Sequence, residues 1–334
     1  MRNSEPGVLC LVSLIKYLIR RSLYLIPVFL GITLLVFSIE RLAGDPVQIA
    51  TFGNTHITED QRQRIRQYYG LDKPVYLQYL HWLSELLVLN LGDSFGGGSV
   101  SNLVGQGILA TLELQLLGLF LSLVIAIPIG IYSAKRRYSV LDVTLSSSAL
   151  VGTSIPISFM GIAFILIFGY YLNLFPSGGA QSTIQSQYLY GNVILDQLWH
   201  LTLPTLVYTF AILAPVVLLV RSSMLEVLRQ DYILAARASG LGDRAILYKH
   251  ALRNALIPIV TYVGLYFGGL LAGAPVTETV FNWPGVGALF VVKTNVLDFP
   301  VIQGVVVLIT LMTLVANLVT DLTYAYIDPR IRID

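Results

Sequence analysis

Acidic residues inside apolar runs are the first places in this 334-residue chain where chemistry could reside. Glu40, Glu113, Glu278 and Asp321 lie within or at the ends of such runs, where an ionisable group is a functional suspect by default. Glu40, Glu113 and Glu278 fall near one boundary and Asp321 near the other, so packing or boundary roles compete with functional ones. Two carboxylates facing each other at membrane depth could share a proton and hydrolyse an amide. The string Gly-Leu-Gly-Asp at 240–243 offers one acid, but Asp243 sits among Arg237, Arg244 and Lys249, and no apolar run supplies an evident partner. His56, His81, His200 and His250 are widely spaced, so no metal site is evident. No Gly-x-Ser-x-Gly string or nucleophile with a credible base occurs. No Gly-x4-Gly-Lys-Ser/Thr loop is present, and "GLGDRA" lacks both the third glycine and a preceding strand, so the chain should not hold ATP phosphates itself. The expectation is a non-catalytic chain with no metal and no bound cofactor.

The elements that carry these residues are membrane spans. Apolar content of 55%, charged content of 12% and apolar runs longer than 18 residues describe an integral membrane protein. The net charge of +2 is too small to argue for nucleic acid, and a lone cysteine, Cys10, excludes an intrachain disulfide. Six runs are long enough to cross about 30 Å of hydrocarbon: 22–42, 108–132, 145–172, 201–220, 257–281 and 301–325. The first follows Lys16, Arg20 and Arg21 and is too long for a signal-peptide core, so an uncleaved anchor is expected. Of the 21 Lys and Arg, 15 fall on the side that holds both termini, which places the termini in the cytoplasm. The chain then divides into a segment 1–21, the span 22–42, an external helical loop 43–107, a five-helix core 108–327 and a tail 328–334.

Prolines 27, 128, 156, 204, 215 and 275 interrupt these runs, which favours a multi-helix bundle whose neighbours satisfy the freed carbonyls. Gly264, Gly268, Gly269 and Gly273 put small residues four apart in the fifth run, for close packing or for a helix lining a path that moves. With Pro156, Glu113 and Glu278, the glycines 264, 268 and 273 are the candidate path residues. In the external loop, "TEDQ" at 58–61 fits a capping box that opens a helix ending at Gly70. Pro74 then opens a second helix with Leu77, Leu80, Leu83 and Leu87 along one face, and "SFGGGS" follows as a flexible joint.

Between the fourth and fifth spans, 221–257 holds a hydrophilic helix-glycine-helix elbow. Asp231 is expected to cap the first short helix, Gly240 to stop it in the left-handed conformation, Leu241 and Gly242 to form the bend, and Asp243 to cap the next helix. Ala235, Ala236 and Ala238 would let another protein surface lie close. The basic cluster Lys135, Arg136, Arg137 reads as an orientation signal at the headgroups.

The elbow, "DYILAARASGLGDRAILYKHALRNALIP", resembles the cytoplasmic loop of permease subunits of binding-protein-dependent ABC importers, whose pattern is Glu-Ala-Ala, three residues, Gly, nine residues, Ile-x-Leu-Pro. Ala235, Ala236, Gly240 and Leu252 match; Leu234 and Arg253 depart from it. "LIRRSLYLIPVFLGITLLVF" with "AGDP", "YGLDKP", "TETVFNWPGVG" and "DPRIR", in this order and spacing, are similar to the dipeptide and oligopeptide class of these permeases. The resemblance implies an all-α polytopic fold of six transmembrane helices, the type I importer permease fold. It implies that Asp231, Tyr232, Ala235, Ala236, Arg237, Gly240, Leu241, Gly242 and Leu252 form a coupling surface for an ATPase subunit. It further implies a second homologous permease, two ATP-binding subunits carrying ATP and Mg, an external solute-binding protein and di- or oligopeptide cargo, with oligosaccharides or nickel complexes as alternatives. A channel is a distant alternative, since no carboxylate ring or carbonyl-rich filter occurs, and an intramembrane aspartyl protease is another.

Overall fold

A backbone without water must satisfy its own polar groups, and the apolar runs do so as helices in the computed structural model, which describes residues 6–45, 47–48, 58–68, 70–184, 189–270 and 273–327. In chain order the helices are α1 (Pro6–Ala43), α2 (Glu59–Tyr68), α3 (Val75–Leu87), α4 (Val100–Lys135), α5 (Val140–Ser154), α6 (Ile157–Phe164), α7 (Val193–Val227), α8 (Asp231–Ala238), α9 (Asp243–Ala245), α10 (Leu252–Leu270), α11 (Pro275–Val280), α12 (Val286–Asn295) and α13 (Phe299–Ile327). π-helical turns extend α6 over Ile165–Tyr171 and join α9 to α10 over Ile246–Ala251. His56 and the "DPRIR" tail lie outside the described residues, as does the side chain of Asp321.

Among the described residues, four helices are long and apolar enough to cross a membrane: Leu23–Ala43 of α1, α4, α7 and Phe299–Val319 of α13. The third expected span is instead a pair, α5 and α6, bent by 98°. Pro156 disfavours helical backbone at the residue before it, Ile155 is extended (φ −82°, ψ 122°), and α6 begins afresh. The fifth expected span also breaks. α10 ends at Leu270, Gly273 takes φ +84°, and α11 starts at Pro275. A Cβ on Gly273 would stand 2.9 Å from the Gly287 amide nitrogen, so the turn needs glycine for both its torsion and its neighbour. Pro27, Pro128, Pro204 and Pro215, by contrast, lie inside continuous helices.

One compact unit comprises Met1–Gly107 and Leu289–Asp334. Within it α1 packs on α13, and α3 packs on α1 through Phe37, whose ring centroid is 5.4 Å from Tyr79 and 6.0 Å from Trp82. The leucine stripe of α3 is not its packed face: Leu77, Leu80 and Leu87 are exposed, while Gln78 and Leu86 are buried. The three rings on the opposite side offer more contact area than the leucines, and they set the rotation of the helix. Helix α2 stops before Gly70 (φ +62°), with Leu71 N–H donating to Arg66 O at 2.8 Å. The glycine-rich "SFGGGS" is a pinned turn rather than a free joint. Ser94 Oγ donates to Asp298 Oδ2 at 2.5 Å, Phe95 N–H donates to Asp298 Oδ1 at 3.1 Å, and Lys293 Nζ lies 2.7 Å from Asp298 Oδ2.

The other unit is Ile108–Ala288. Helix α7 is its centre, with α5, α6 and α10 packed against it, and 61% of its apolar window is buried, against 17% for α1. Val216, Val220 and Met224 of α7 share a core with Ile233, Ile246, Ala251 and Ile259.

Candidate functional site

The elbow is a bracket hung on one buried side chain. Gln230 (φ −72°, ψ 147°) takes the N-cap position of α8, so Asp231 is the first helical residue and not the cap; it contributes its charge to the helix dipole instead. Gly242 likewise precedes α9, which makes Asp243 its first residue, 3.7 Å from Lys135 Nζ. Gly240 adopts φ +81°, and Leu241 N–H donates to Ala236 O, closing α8 as its sequence anticipates. Ile233 is fully buried among Met224, Ile246 and Leu247, and Leu252 packs at the edge of the same cluster. Tyr232 Oη accepts from Asn254 Nδ2 at 2.6 Å, tying α8 to the first turn of α10.

The bracket presents large apolar side chains outward among its charged ones. Leu234, Leu241 and Tyr248 remain 53%, 42% and 56% exposed, beside exposed Ala235, Arg237 and Gly242 and half-buried Ala236. Single exposed apolar residues are ordinary; large ones set around a glycine bend at the tip of one bracket make a surface suited to a protein partner.

The same unit holds a charged clamp that the sequence reading did not single out. Arg221 near the end of α7 donates Nε and Nη2 to Asp142 Oδ1 and Oδ2 at 2.6 and 2.8 Å. Asp142 is 2% exposed and also accepts from Tyr138 N–H at 2.8 Å and from Ser133 Oγ on α4. Its own N–H donates to Ser139 Oγ, the N-cap of α5. One carboxylate thus joins α4, α5 and α7 through a bidentate pair, the strong form of ion pairing. A readable signal existed: Ser139-x-x-Asp142 is a capping pattern ahead of an apolar run.

Glu278, expected to border a path, is fully buried in a cage of donors. Its Oε1 accepts from Thr111 Oγ1 at 2.7 Å and from Ala274 N–H at 3.1 Å, and its Oε2 accepts from Ala288 N–H at 2.9 Å. Thr111 Oγ1 accepts in turn from Val286 N–H at 2.9 Å, and Trp283 Nε1 donates to Ala110 O at 2.8 Å. A Cβ added to Gly285 would land on the Glu278 carboxylate, so the "PGVG" turn closes on the acid with no room to spare. Of the six expected path residues, Gly273 and Glu278 meet here. Pro156 stands at the bend between α5 and α6, while Glu113, exposed on α4, accepts from Gln197 Nε2 at 2.9 Å. Gly264 and Gly268 lie in α10, and at neighbouring Gly269 a Cβ would meet nothing within 4 Å, so Gly269 itself makes no close approach.

Comparison with known proteins accounts for both ends of the chain. The family described as binding-protein-dependent transport system inner membrane component matches residues 126–333, and the N-terminal family of such membrane components matches residues 14–102. The oligopeptide transport system permease protein AppB of Bacillus subtilis is 39% identical over 318 residues, 94% of this chain and 98% of its own. The dipeptide transport system permease protein DppB of Escherichia coli K12 is 38% identical over 337 residues, covering 96% and 99% of the two chains. The di/tripeptide transport system permease protein DppB of Pseudomonas aeruginosa is 35% identical, again over 96% and 99%.

Proposed function

We propose a specific task for this chain from the premise that it belongs to the family of binding-protein-dependent transport system inner membrane components, multi-pass and non-catalytic permease subunits of ABC transporters. The task is to pass di- or oligopeptides across the inner membrane after an external solute-binding protein delivers them. Peptide cargo follows from relatives named as oligopeptide, dipeptide and di/tripeptide permeases, each aligned over nearly its whole length. Two ATP-binding subunits, with ATP and Mg, supply the energy, and a second homologous permease completes the path. Both termini and the elbow lie on the cytoplasmic side, in keeping with the Lys and Arg distribution.

The observation that carries the coupling assignment is the elbow: Ile233 fixed in the core while Leu234, Leu241 and Tyr248 face outward. An ATPase that closes on this surface pushes on α8, and the fixed Ile233 passes the load to α7. Purification of the tagged chain in mild detergent is expected to recover two ATPases and a second permease. Reconstituted with the binding protein, the assembly takes up labelled dipeptide only with ATP. In the variant Leu234→Glu/Leu241→Glu, uptake and substrate-stimulated ATP hydrolysis should fall together by at least about tenfold, the 1.4 kcal/mol scale of a lost apolar contact. Unchanged uptake in that variant would refute the coupling surface; passage of solute by the chain alone without ATP would refute the importer.

A further inference from the structure

The exposed leucine stripe of α3 acquires a meaning from the depth at which the helix docks. Tyr79 Oη lies 3.0 Å from Thr33 Oγ1 and 3.4 Å from Leu30 O, both on α1. Thr33 falls in the middle of the α1 apolar window, Leu23–Ala43, ten residues short of its end, or about 15 Å at 1.5 Å per residue. A tyrosine side chain and one hydrogen bond are together shorter than that, so the backbone of α3 at Tyr79 also lies within the length of the window. On the other flank of α3, buried Gln78 lines one hollow with Arg41, Gly44 and Asp45, around the window's end. The direction across α3 from Gln78 to Tyr79 therefore points into the apolar layer.

Helical spacing puts Tyr76, Leu83 and Leu87, three before and four and eight after Tyr79, on that inward flank, with Leu80 beside them. Tyr76, Leu80 and Leu87 are 66%, 55% and 79% exposed, and Leu83 is half-buried. His81, Ser84 and Glu85 stand with Leu77 on the side turned from the stripe. An apolar patch of this size calls for a cover, and its position beside the α1 window says what the cover is. We propose that α3 is an interfacial helix, laid against α1 with Tyr76, Leu80, Leu83 and Leu87 among the acyl chains of the leaflet that meets the Ala43 end of α1. In the orientation favoured by the Lys and Arg distribution, this is the outer leaflet. The stripe extends the apolar surface of α1, while His81 and Glu85 stay with the headgroups and water, the arrangement by which amphipathic helices lie in a membrane plane. Tyr76, Tyr79 and Trp82 suit that depth, since each ring carries a polar tip on an apolar body.

The test uses the full-length chain, kept with the subunits that purify with it, in a Cys10→Ser background that removes its lone cysteine. One new cysteine at a time is introduced, Leu80→Cys, Leu87→Cys, His81→Cys or Lys73→Cys; all four positions are exposed, so the packed faces stay intact. Each is spin-labelled in vesicles of phosphatidylethanolamine and phosphatidylglycerol. Relaxation by oxygen, which concentrates in hydrocarbon, is compared with relaxation by a water-soluble nickel chelate. At Leu80 and Leu87 oxygen is expected to dominate, at a depth of about 5–10 Å below the headgroups, and at His81 and Lys73 the nickel chelate. Nickel dominating at all four positions would place α3 in water, as part of a purely external subdomain. Shielding of Leu80 and Leu87 from both reagents would place a protein subunit over the stripe. Either result would overturn the proposal.

Discussion

Replacing Arg221 with alanine is expected to be among the most damaging changes outside the apolar core. Asp142 is 2% exposed and accepts from Arg221 twice, from Tyr138 N–H and from Ser133 Oγ. Arg221→Ala removes two of these donors and the counter-charge together. Removing one partner of a buried pair costs about 3–5 kcal/mol. Because Tyr138 and Ser133 still solvate the carboxylate, the lower end applies, about 3 kcal/mol, or roughly two factors of ten in the folded population. Asp142→Asn in the Arg221→Ala background discharges the stranded group while keeping its shape, so the double variant should recover to a loss of about 1–1.5 kcal/mol, the worth of one or two neutral hydrogen bonds. The assay is tryptophan fluorescence of detergent-solubilised protein against a rising fraction of sodium dodecyl sulfate, for wild type, both single variants and the double. A double variant as unstable as the sum of the singles would show that the two side chains act independently and would refute the clamp.

Gly240→Val should keep membrane insertion, since a Cβ there meets nothing within 4 Å, yet force a β-branched residue to φ +81° at a cost of about 1–3 kcal/mol, which reshapes the elbow; substrate-stimulated ATP hydrolysis by the assembled complex should drop while basal hydrolysis persists. Gly285→Ala should lower the detergent unfolding midpoint sharply, because its Cβ collides with the Glu278 carboxylate, whereas Gly269→Ala, in open space within a helix, should be neutral or slightly stabilising. The latch at Asp298 sets an acid limit. Burial alone would raise its pKa, but hydrogen bonds from Lys293, Ser94 and Phe95 N–H together with the Lys293 charge hold the carboxyl below its usual range. A depressed pKa contributes stability above the unfolded value of about 4, which is lost as pH falls through the folded value. Limited proteolysis near "SFGGGS" should therefore stay slow down to about pH 4 and accelerate below it, and Asp298→Asn should be fast throughout.

The long helices could be read from sequence because uninterrupted apolar residues leave the backbone little alternative in lipid, and α1, α4, α7 and α13 fall where hydropathy placed them. The breaks could not. Pro204 and Pro215 sit inside α7, while Pro156 and Pro275 each open a new helix, although the local chemistry is alike. What differs is distant: Gly161 of α6 lies against Val280 and Phe281, and Gly273 against Gly287. The elbow was legible because glycine and charge stand out between apolar runs, but its caps slipped by one residue to Gln230 and Gly242, where backbone torsion overrode side-chain preference. Glu278 could be flagged as an acid in a span, but its partner Thr111 is 167 residues away, and the partners Asp142 and Arg221 are 79 apart. Pairings over such distances leave no periodic mark in a sequence.

The donor cage around Glu278 also sets an order of events during biogenesis. Thr111 leaves the ribosome long before the acid, whereas Ala288, which supplies the final backbone donor, follows it by ten residues. A nascent chain that has released Glu278 but not yet Ala288 holds a carboxylate with an incomplete set of donors, which lipid tolerates poorly. The 275–280 segment must therefore wait in a wet environment, beside an α4 already in place, until the "PGVG" turn emerges and closes over it. The second unit is in this sense closed by its last residues, and its completion is timed by a single loop.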